Sequence, residues 1–495
     1  MTQSPESYRG DDRLLFGIIL GVLAFWLFAQ TTLNIAPAMA ADLEVATNVM
    51  NFAVSITALF SGIFIVVVGG LADRVGRVKI LMWGFILGIV GSLLVGIATR
   101  GALAVPLLML GRICQGLSAA FIMPASLALI KAYWNDAGRQ RAVSLWSIGS
   151  WGGSGFAALF GGLMTENVGW RWIFFASAAV SLVGMLMVRG TPESKAVVGK
   201  DYRFDTMGVL TFMVTMVALQ VLATQGGEFG WTNRITLGLG AIAVVAGVMF
   251  FRAETMSRNP FVNFALFRNS TYTGATISNF LLNGVAGMLL VSMMLVQVGG
   301  GLSAQEAGML TLGYAIAIVG FIRVGEKLLQ KFGARKPMIW GSVIVGLSIA
   351  ALMPTNLLIG QYTNLAVVAY TLFGLGLAFY ATPSTDAALS NLPDDQAGSG
   401  SGIYKMASSL GASFGVAISA AIFTALSADN GSTRWLEGVI TFAGRQDNIA
   451  VRQAALIALA FNLLMVVGAI VSCSPCPETA SARSCDEFLA GEPRP

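Results

Sequence analysis

Five charged residues fall inside long apolar runs of this 495-residue chain: Arg112, Arg323, Glu326, Asp386 and Lys405. A charge held in hydrocarbon costs about 3 kcal/mol even on insertion scales, so each must face a partner or a watery cavity, and such residues mark ion and substrate pathways. The chain has no histidine, the side chain that most often relays protons near neutral pH and holds catalytic metals. Any proton moved here therefore rides on a carboxylate. Asp386, toward the inner half of its run, is the first choice of carrier, against the plain alternative of a charge hydrated near a helix end. Arg323 and Glu326 share a helix face at i, i+3, as a gating pair or as an ion pair at the inner face. Lys405 is a candidate partner for Asp386. No GxxxxGK[ST] phosphate loop and no metal-ligand cluster occurs, so neither ATP as an energy source nor a cofactor or metal is expected. Cys114 reads as a small core residue, and the Cys473/Cys476 pair, with Cys485 beyond it, is weak evidence for metal or redox work.

Neutral polar and aromatic residues accompany these charges. Phe25, Trp26, Gln30 and Asn34 lie in the first apolar run, Trp146, Ser150 and Trp151 in the fifth, Asn279 and Asn283 in the ninth, and Tyr404 in the thirteenth. Aromatic faces with a few polar handles suit amphipathic, planar or cationic small molecules. Taken one at a time, most of these side chains suit helix packing better than ligand contact.

The elements that position them follow from composition. The chain is 56% hydrophobic and 11% charged, with a mean hydropathy of +0.74, which excludes a soluble globular protein. Runs such as 14–40 and 237–251 are apolar on every face, unlike the alternating strands of a membrane barrel. No cleaved signal peptide is expected, because the polar tail leads into a run too long for one. The pI near 9.1 does not indicate nucleic acid, since the basic residues sit in membrane loops. Fourteen spans are expected, near 14–40, 50–71, 79–99, 103–131, 141–165, 171–188, 206–225, 234–252, 271–298, 303–326, 337–354, 361–391, 397–427 and 449–472. With the amino terminus in the cytoplasm, inner loops hold seventeen Lys and Arg and outer loops six. That imbalance predicts a plasma or inner membrane protein with both termini inside.

An internal repeat refines this layout. Gly116-Leu117-Ser118-Ala119-Ala120-Phe121 returns as Gly374-Leu375-Gly376-Leu377-Ala378-Phe379, an offset of 258, which also sets Trp146 on Tyr404, Ser150 on Ser408 and Gly153 on Gly411. At about 30 residues per span and loop, this corresponds to eight spans rather than six. The expected fold is all-α and polytopic: a tail 1–13, a six-helix bundle 14–200, two inserted helices within 201–255, a second six-helix bundle 256–473 and a tail 474–495. Parallel repeats of this kind place one substrate site at the midplane.

Three motifs lie on this frame. Gly69-Gly70-Leu71-Ala72-Asp73-Arg74-Val75-Gly76-Arg77 is a tight inner-face turn in which Gly76 allows reversal and Asp73 caps a helix or pairs with arginine. Read plainly, it is a basic topogenic loop. The string also resembles the signature loop of the major facilitator superfamily, where it latches the cytoplasmic gate; Gly69, Asp73, Arg74, Gly76 and Arg77 take that role by resemblance. Arg112-Ile113-Cys114-Gln115-Gly116 resembles the arginine motif of the family's proton-coupled exporters, which links Arg112 to proton transfer; the alternative is a purely structural hydrogen bonder. Gly149, Gly152, Gly153, Gly155, Gly161 and Gly162 resemble the antiporter motif in part, but Ala157-Ala158 stands where a Gly-Pro step is usual, which puts the helix kink in question. The first span reads Ala29-Gln30-Thr31-Thr32-Leu33-Asn34, without the aspartate that many fourteen-span relatives keep.

The resemblance implies a drug:proton antiporter, especially like the quinolone effluxers of that superfamily, exporting quinolones, quaternary ammonium compounds and dyes by alternating access. Its partners would be amphipathic small molecules, protons and the bilayer, with no nucleic acid, and its assembly a monomer. Rivals are an exporter of a natural metabolite, lipid precursor or siderophore, and a membrane scaffold or embedded enzyme. The longest polar loops, near 189–205 and 428–445, leave little room for an enzyme domain.

Overall fold

In hydrocarbon a continuous chain satisfies its own backbone hydrogen bonds as helix, and in the computed structural model every regular element among the described residues is helical. The structure describes residues 8–196, 205–257, 260, 262–428, 436, 440–443 and 448–474. Cys476, Cys485, Arg434 and Arg445 lie outside the described residues.

The first span comprises α1 (Asp12–Leu23), a π-helical turn over Ala24–Ala29 and α2 (Thr32–Leu43). α3 (Thr47–Val75), α4 (Arg77–Gly96) and α5 (Ala104–Tyr133) are unbroken. α6 (Asp136–Ser147) passes through a second π-turn, Ile148–Gly152, into α7 (Gly153–Asn167), and α8 (Arg171–Val188) follows. α9 (Thr206–Phe229) and α10 (Arg234–Met256) form a hairpin. Beyond it come α11 (Ser270–Gly284), then α12 (Gly287–Met294) with a π-turn over Leu295–Gly299, then α13 (Ala304–Met309) and α14 (Leu312–Phe332). α15 (Arg335–Leu352), α16 (Ile359–Ser390), α17 (Ala397–Ala428) and α18 (Ile449–Cys473) complete the chain.

Polar residues between the apolar runs serve as caps. Asp11 accepts from Leu14 N at 2.8 Å, Asp205 from Gly208 N at 2.7 Å, and Ser303 with Glu306 forms a capping box ahead of α13. Thirteen helical segments among the described residues are long and apolar enough to cross a membrane. The expected fifth run, 141–165, is not one of them. Charged Asp136, Arg139 and Arg141 open α6, and the stretch from Ile148 through Gly162 is rich in glycine and serine, which lowers its hydropathy. The helix is irregular without the proline: its break lies at Ile148–Gly152, ahead of Ala157-Ala158.

Packing separates an amino-terminal group, in which α4 lies on α5 and α8 and α3 on α5, from a carboxy-terminal group, in which α16 lies on α14 and α15 and α17 on α11 and α18. The two groups meet where α3 crosses α17 and where α6 and α7 cross α14. α9 of the hairpin lies over the first seam, touching both α3 and α17, with Gln220 donating to Ser413 Oγ at 3.0 Å. The glycines of 149–161 divide between two neighbours. A Cβ on Gly153 would lie 3.1 Å from Trp26 Cβ in the first span, whereas one on Gly152 would meet Val319 of α14 at 2.7 Å. Small residues permit both close approaches.

Candidate functional site

Asp73 stands in the last turn of α3, and its carboxylate reaches across to the other helix group. It accepts the backbone N–H of Gly398 at 2.8 and 2.9 Å and that of Ser399 at 2.9 Å, while Arg77 pairs with it at 2.9 Å. The residue thus caps the positive end of α17 from another part of the chain, and also fulfils the pairing expected within its own loop. Arg77 continues the network to the Asp394 carbonyl and, at 3.1 Å, to Ser194 Oγ. Gly76 adopts φ +130°, strained for any residue with a Cβ, and such an atom would strike the Glu193 carboxylate at 2.4 Å. Glu193 in turn accepts from Val78 N at 2.8 Å and Lys79 N at 3.1 Å, capping α4. Arg74 is half-buried in the final turn of α3. Gly69 is not part of the turn. It forms the closest point of the α3–α17 crossing, where its Cβ would lie 2.4 Å from the Gly398 carbonyl oxygen.

A second tie lies alongside. Asp386 Oδ1 accepts from Arg139 Nε at 2.8 Å, with side chains only 6% and 16% exposed, so the pair joins α16 to the first turn of α6. Asp386 is not partnered by Lys405, as its sequence surroundings suggest, but by Arg139. Asp386 lies four residues before the end of α16, whereas Lys405 sits eight residues into α17, about 12 Å from its start at 1.5 Å per residue. Arg139 takes that place, and Lys405 makes no ion pair among the described residues. Lys131 adds a weaker, solvated link to Asp394 at 3.3 Å. Arg323 and Glu326 do pair, with Gln330 Nε2 3.4 Å from the Glu326 carboxylate. That pair lies within α14, with Arg141 of α6 near enough across the seam to feel the Glu326 charge.

Deeper in the bundle, Arg112 is fully buried and is held by neutral acceptors alone. Its Nε donates to the Ala53 carbonyl at 3.1 Å, and its Nη1 to the Ala29 carbonyl at 2.9 Å, Thr32 Oγ1 at 3.0 Å and Gln115 Oε1 at 2.7 Å. In the first span, where an acid was absent from the sequence, a backbone carbonyl at the end of the π-turn and a threonine hydroxyl receive the cation. This geometry is that of a three-helix tie. Lys405 is also buried, its Nζ 5.0 Å from the centre of the Trp146 ring and 5.9 Å from that of Trp26.

The aromatic candidates divide accordingly. Trp26 and Trp146 meet around Lys405, with Phe25 edge-on to Trp26 at 5.3 Å. Ser150 is buried in the π-turn, Gln30 and Trp151 are half-buried, and Asn34 is exposed on α2. Three candidates are instead committed to packing. Asn279 donates to the Tyr404 carbonyl at 2.9 Å, Asn283 to Asn279 Oδ1 at 2.9 Å, and the Tyr404 hydroxyl bonds Ser384 Oγ at 2.9 Å. Trp146 Nε1 likewise donates to Ser126 Oγ at 2.9 Å.

Sequence reasoning did not identify Arg139, Glu193, Asp394, Gly398 or Ser399 as functional. Their partners are distant along the chain, which no local pattern reveals. The repeat contained one usable signal: its offset of 258 sets Asp394 against Asp136, so the two group-joining loops are counterparts.

A bundle of membrane helices in two groups, tied together at one end and holding a buried lysine between them, has the architecture of a membrane transporter. The family model described as Major Facilitator Superfamily matches residues 14–416. The quinolone resistance protein NorB of Staphylococcus aureus strain MRSA252 is 46% identical over 425 residues, spanning 86% of this chain and 91% of that protein, and the one of strain JH9 is 47% identical over 429 residues with the same coverage. Among solved structures, the fold is similar to the proton:xylose symporter XylE, with a TM-score of 0.61 at 15% identity covering 92% of this chain and 94% of that one. It is also similar to the human organic anion transporter TETRAN, with a TM-score of 0.56 at 14% identity covering 93% and 98%. The chain belongs to the major facilitator superfamily and is a multi-pass membrane transporter rather than an enzyme.

Proposed function

We propose that this protein is a proton-coupled multidrug efflux antiporter that exports amphipathic drugs by alternating access. The single observation that carries the reading is the closure of one end by charged groups that join the two helix groups, above all Asp386 with Arg139 and Asp73 with the start of α17. The identity with quinolone resistance proteins supports drugs as the cargo class, with quinolones, quaternary ammonium compounds and dyes as candidates. On this reading the end bearing Arg74, Arg77, Lys131 and Arg139 faces the cytoplasm, both termini lie there, α6 with α7 makes the fourteenth span, and six-helix halves 14–200 and 256–473 flank the inserted pair in a monomer.

The coupling follows from electrostatics. While Asp386 is ionised it holds Arg139, and the inner end is closed over an outward-facing cavity. A proton arriving from outside neutralises the carboxylate and releases the arginine. Asp73 then holds α17 alone, α3 and α17 separate at their glycine crossing, and the cavity opens inward. There the proton leaves, a drug enters among Trp26, Trp146 and Lys405, and re-formation of the pair closes the inner end again. Arg112 keeps the first span in register with α3 and α5 throughout, and Glu326 with Arg323 stabilises α14.

Everted vesicles with an imposed proton gradient test this. Wild-type protein should accumulate a quinolone against its gradient and lose that ability with an uncoupler, whereas Asp386→Asn should insert normally and accumulate none. Full gradient-driven accumulation by Asp386→Asn overturns the coupling, and a wild type that moves no drug while moving a natural metabolite overturns the drug assignment.

A further inference from the structure

The cations at the centre of the molecule are not matched by acids. Among the described residues, Asp386 pairs with Arg139, Asp73 with Arg77 and α17, and Glu326 with Arg323. Arg112 has four neutral acceptors. Lys405 has no hydrogen-bond acceptor and no carboxylate in ion-pair range among the described residues; its ammonium rests against the faces of Trp146 and Trp26. A second donor shares this volume. The indole Nε1 of Trp26 is buried and has no acceptor, while the indole of Trp146 already donates to Ser126.

The Lys405 ammonium from one helix group thus lies against two tryptophan rings from the other, and the edge of one of them, Trp26, carries a second buried donor. Buried donors without acceptors are rare, and a buried cation is stabilised by an anionic oxygen far more than by a ring face. We infer that Lys405 and the Trp26 indole N–H form a carboxylate-binding site, with the two tryptophan rings covering the aromatic body of the same molecule, so that the preferred cargo is a planar aryl carboxylate rather than a permanent cation. This rests on the efflux reading and narrows it: a quinolone carries such a carboxylate, whereas a quaternary ammonium compound or dye would bring a second positive charge against Lys405. Because the site is built from both helix groups, cargo bound there is held by both halves while the bundle rocks.

Binding of three probes to the purified protein in nanodiscs tests the assignment: ciprofloxacin, its decarboxylated derivative and ethidium. Wild type should bind ciprofloxacin about tenfold or more tightly than the decarboxylated form. Lys405→Gln should erase that difference and strengthen ethidium, Lys405→Arg should keep the preference, and Trp26→Phe, which retains a ring and loses the N–H, should weaken ciprofloxacin about threefold with little effect on the decarboxylated form. A Lys405→Gln protein that elutes as wild type and still prefers the carboxylate overturns the inference, as does a wild type indifferent to the carboxylate. If that indifferent wild type still exports ciprofloxacin and ethidium on a proton gradient, the efflux reading stands without the site; if it binds none of the three, both fall.

Discussion

The two ends of the bundle are built from the same residue types and do different things with them. At the end with Asp73 and Asp386, two carboxylates nearly withdrawn from water reach across the seam: Asp73, 5% exposed and paired with Arg77 of its own group, accepts from the start of α17, and Asp386, 6% exposed, pairs with Arg139. At the opposite end Arg171 pairs with Asp42, and Arg100 with Asp42 and Glu44, with side chains 33–66% exposed and every partner inside the amino-terminal group. α2, which reaches that end, packs chiefly on α3 and α7 of its own group. Charge pairs in water contribute about 0–1 kcal/mol, while breaking a buried pair by removing one partner costs on the order of 3–5 kcal/mol. The difference identifies which end is fastened shut, and places the energy of closure in two carboxylates.

Substitutions can break this contrast, and their effects should run in a clear order. The largest belongs to Arg139→Gln, which strands a buried Asp386 and should destabilise the closed inner end by on the order of 3–5 kcal/mol, read as a large gain in accessibility of a cysteine placed beside Gly398. Exchanging the pair, Asp386→Arg with Arg139→Asp, should recover most of that loss; no recovery would mean that the contact is incidental. Asp73→Asn comes next. It keeps a capping oxygen but loses the charge shared with Arg77 and α17, for on the order of 1.5–3 kcal/mol in the same accessibility assay. Gln220→Ala removes one hydrogen bond between the inserted hairpin and α17 and should cost about 1 kcal/mol of thermal stability. The smallest effect belongs to Arg171→Gln at the far end, under about 1 kcal/mol and with no shift in inner-end accessibility; a shift comparable to that of Arg139→Gln would erase the distinction between the two ends.

Much of the frame was legible in the residues. Composition and run length determine a helical membrane protein because hydrocarbon offers the backbone few alternatives, and the stretch from Asp73 to Arg77 carries its turn, its glycine at positive φ and its Asp73–Arg77 pair locally. The π-turns at Ala24–Ala29 and Ile148–Gly152 were not legible, since no proline marks them and they arise where helices pack closely. Nor were the partners of the buried charges. Asp386 stands out by its apolar surroundings, but Arg139 is 247 residues away and reads as an ordinary loop arginine. Lys405 stands out for the same reason, yet nothing near it in the sequence shows that its neighbours are two aromatic faces rather than an acid.

Interspin distance across the inner end, measured by double electron–electron resonance between one label in the loop after α3 and one in the loop before α17, tests the central claim most directly. With Asp386 and Asp73 together fastening the inner end, the wild type should show a dominant short-distance population, and Asp386→Asn, which mimics the protonated carboxylate, should move a large share of it to the long distance. A short-distance population in Asp386→Asn equal to that of the wild type would contradict it.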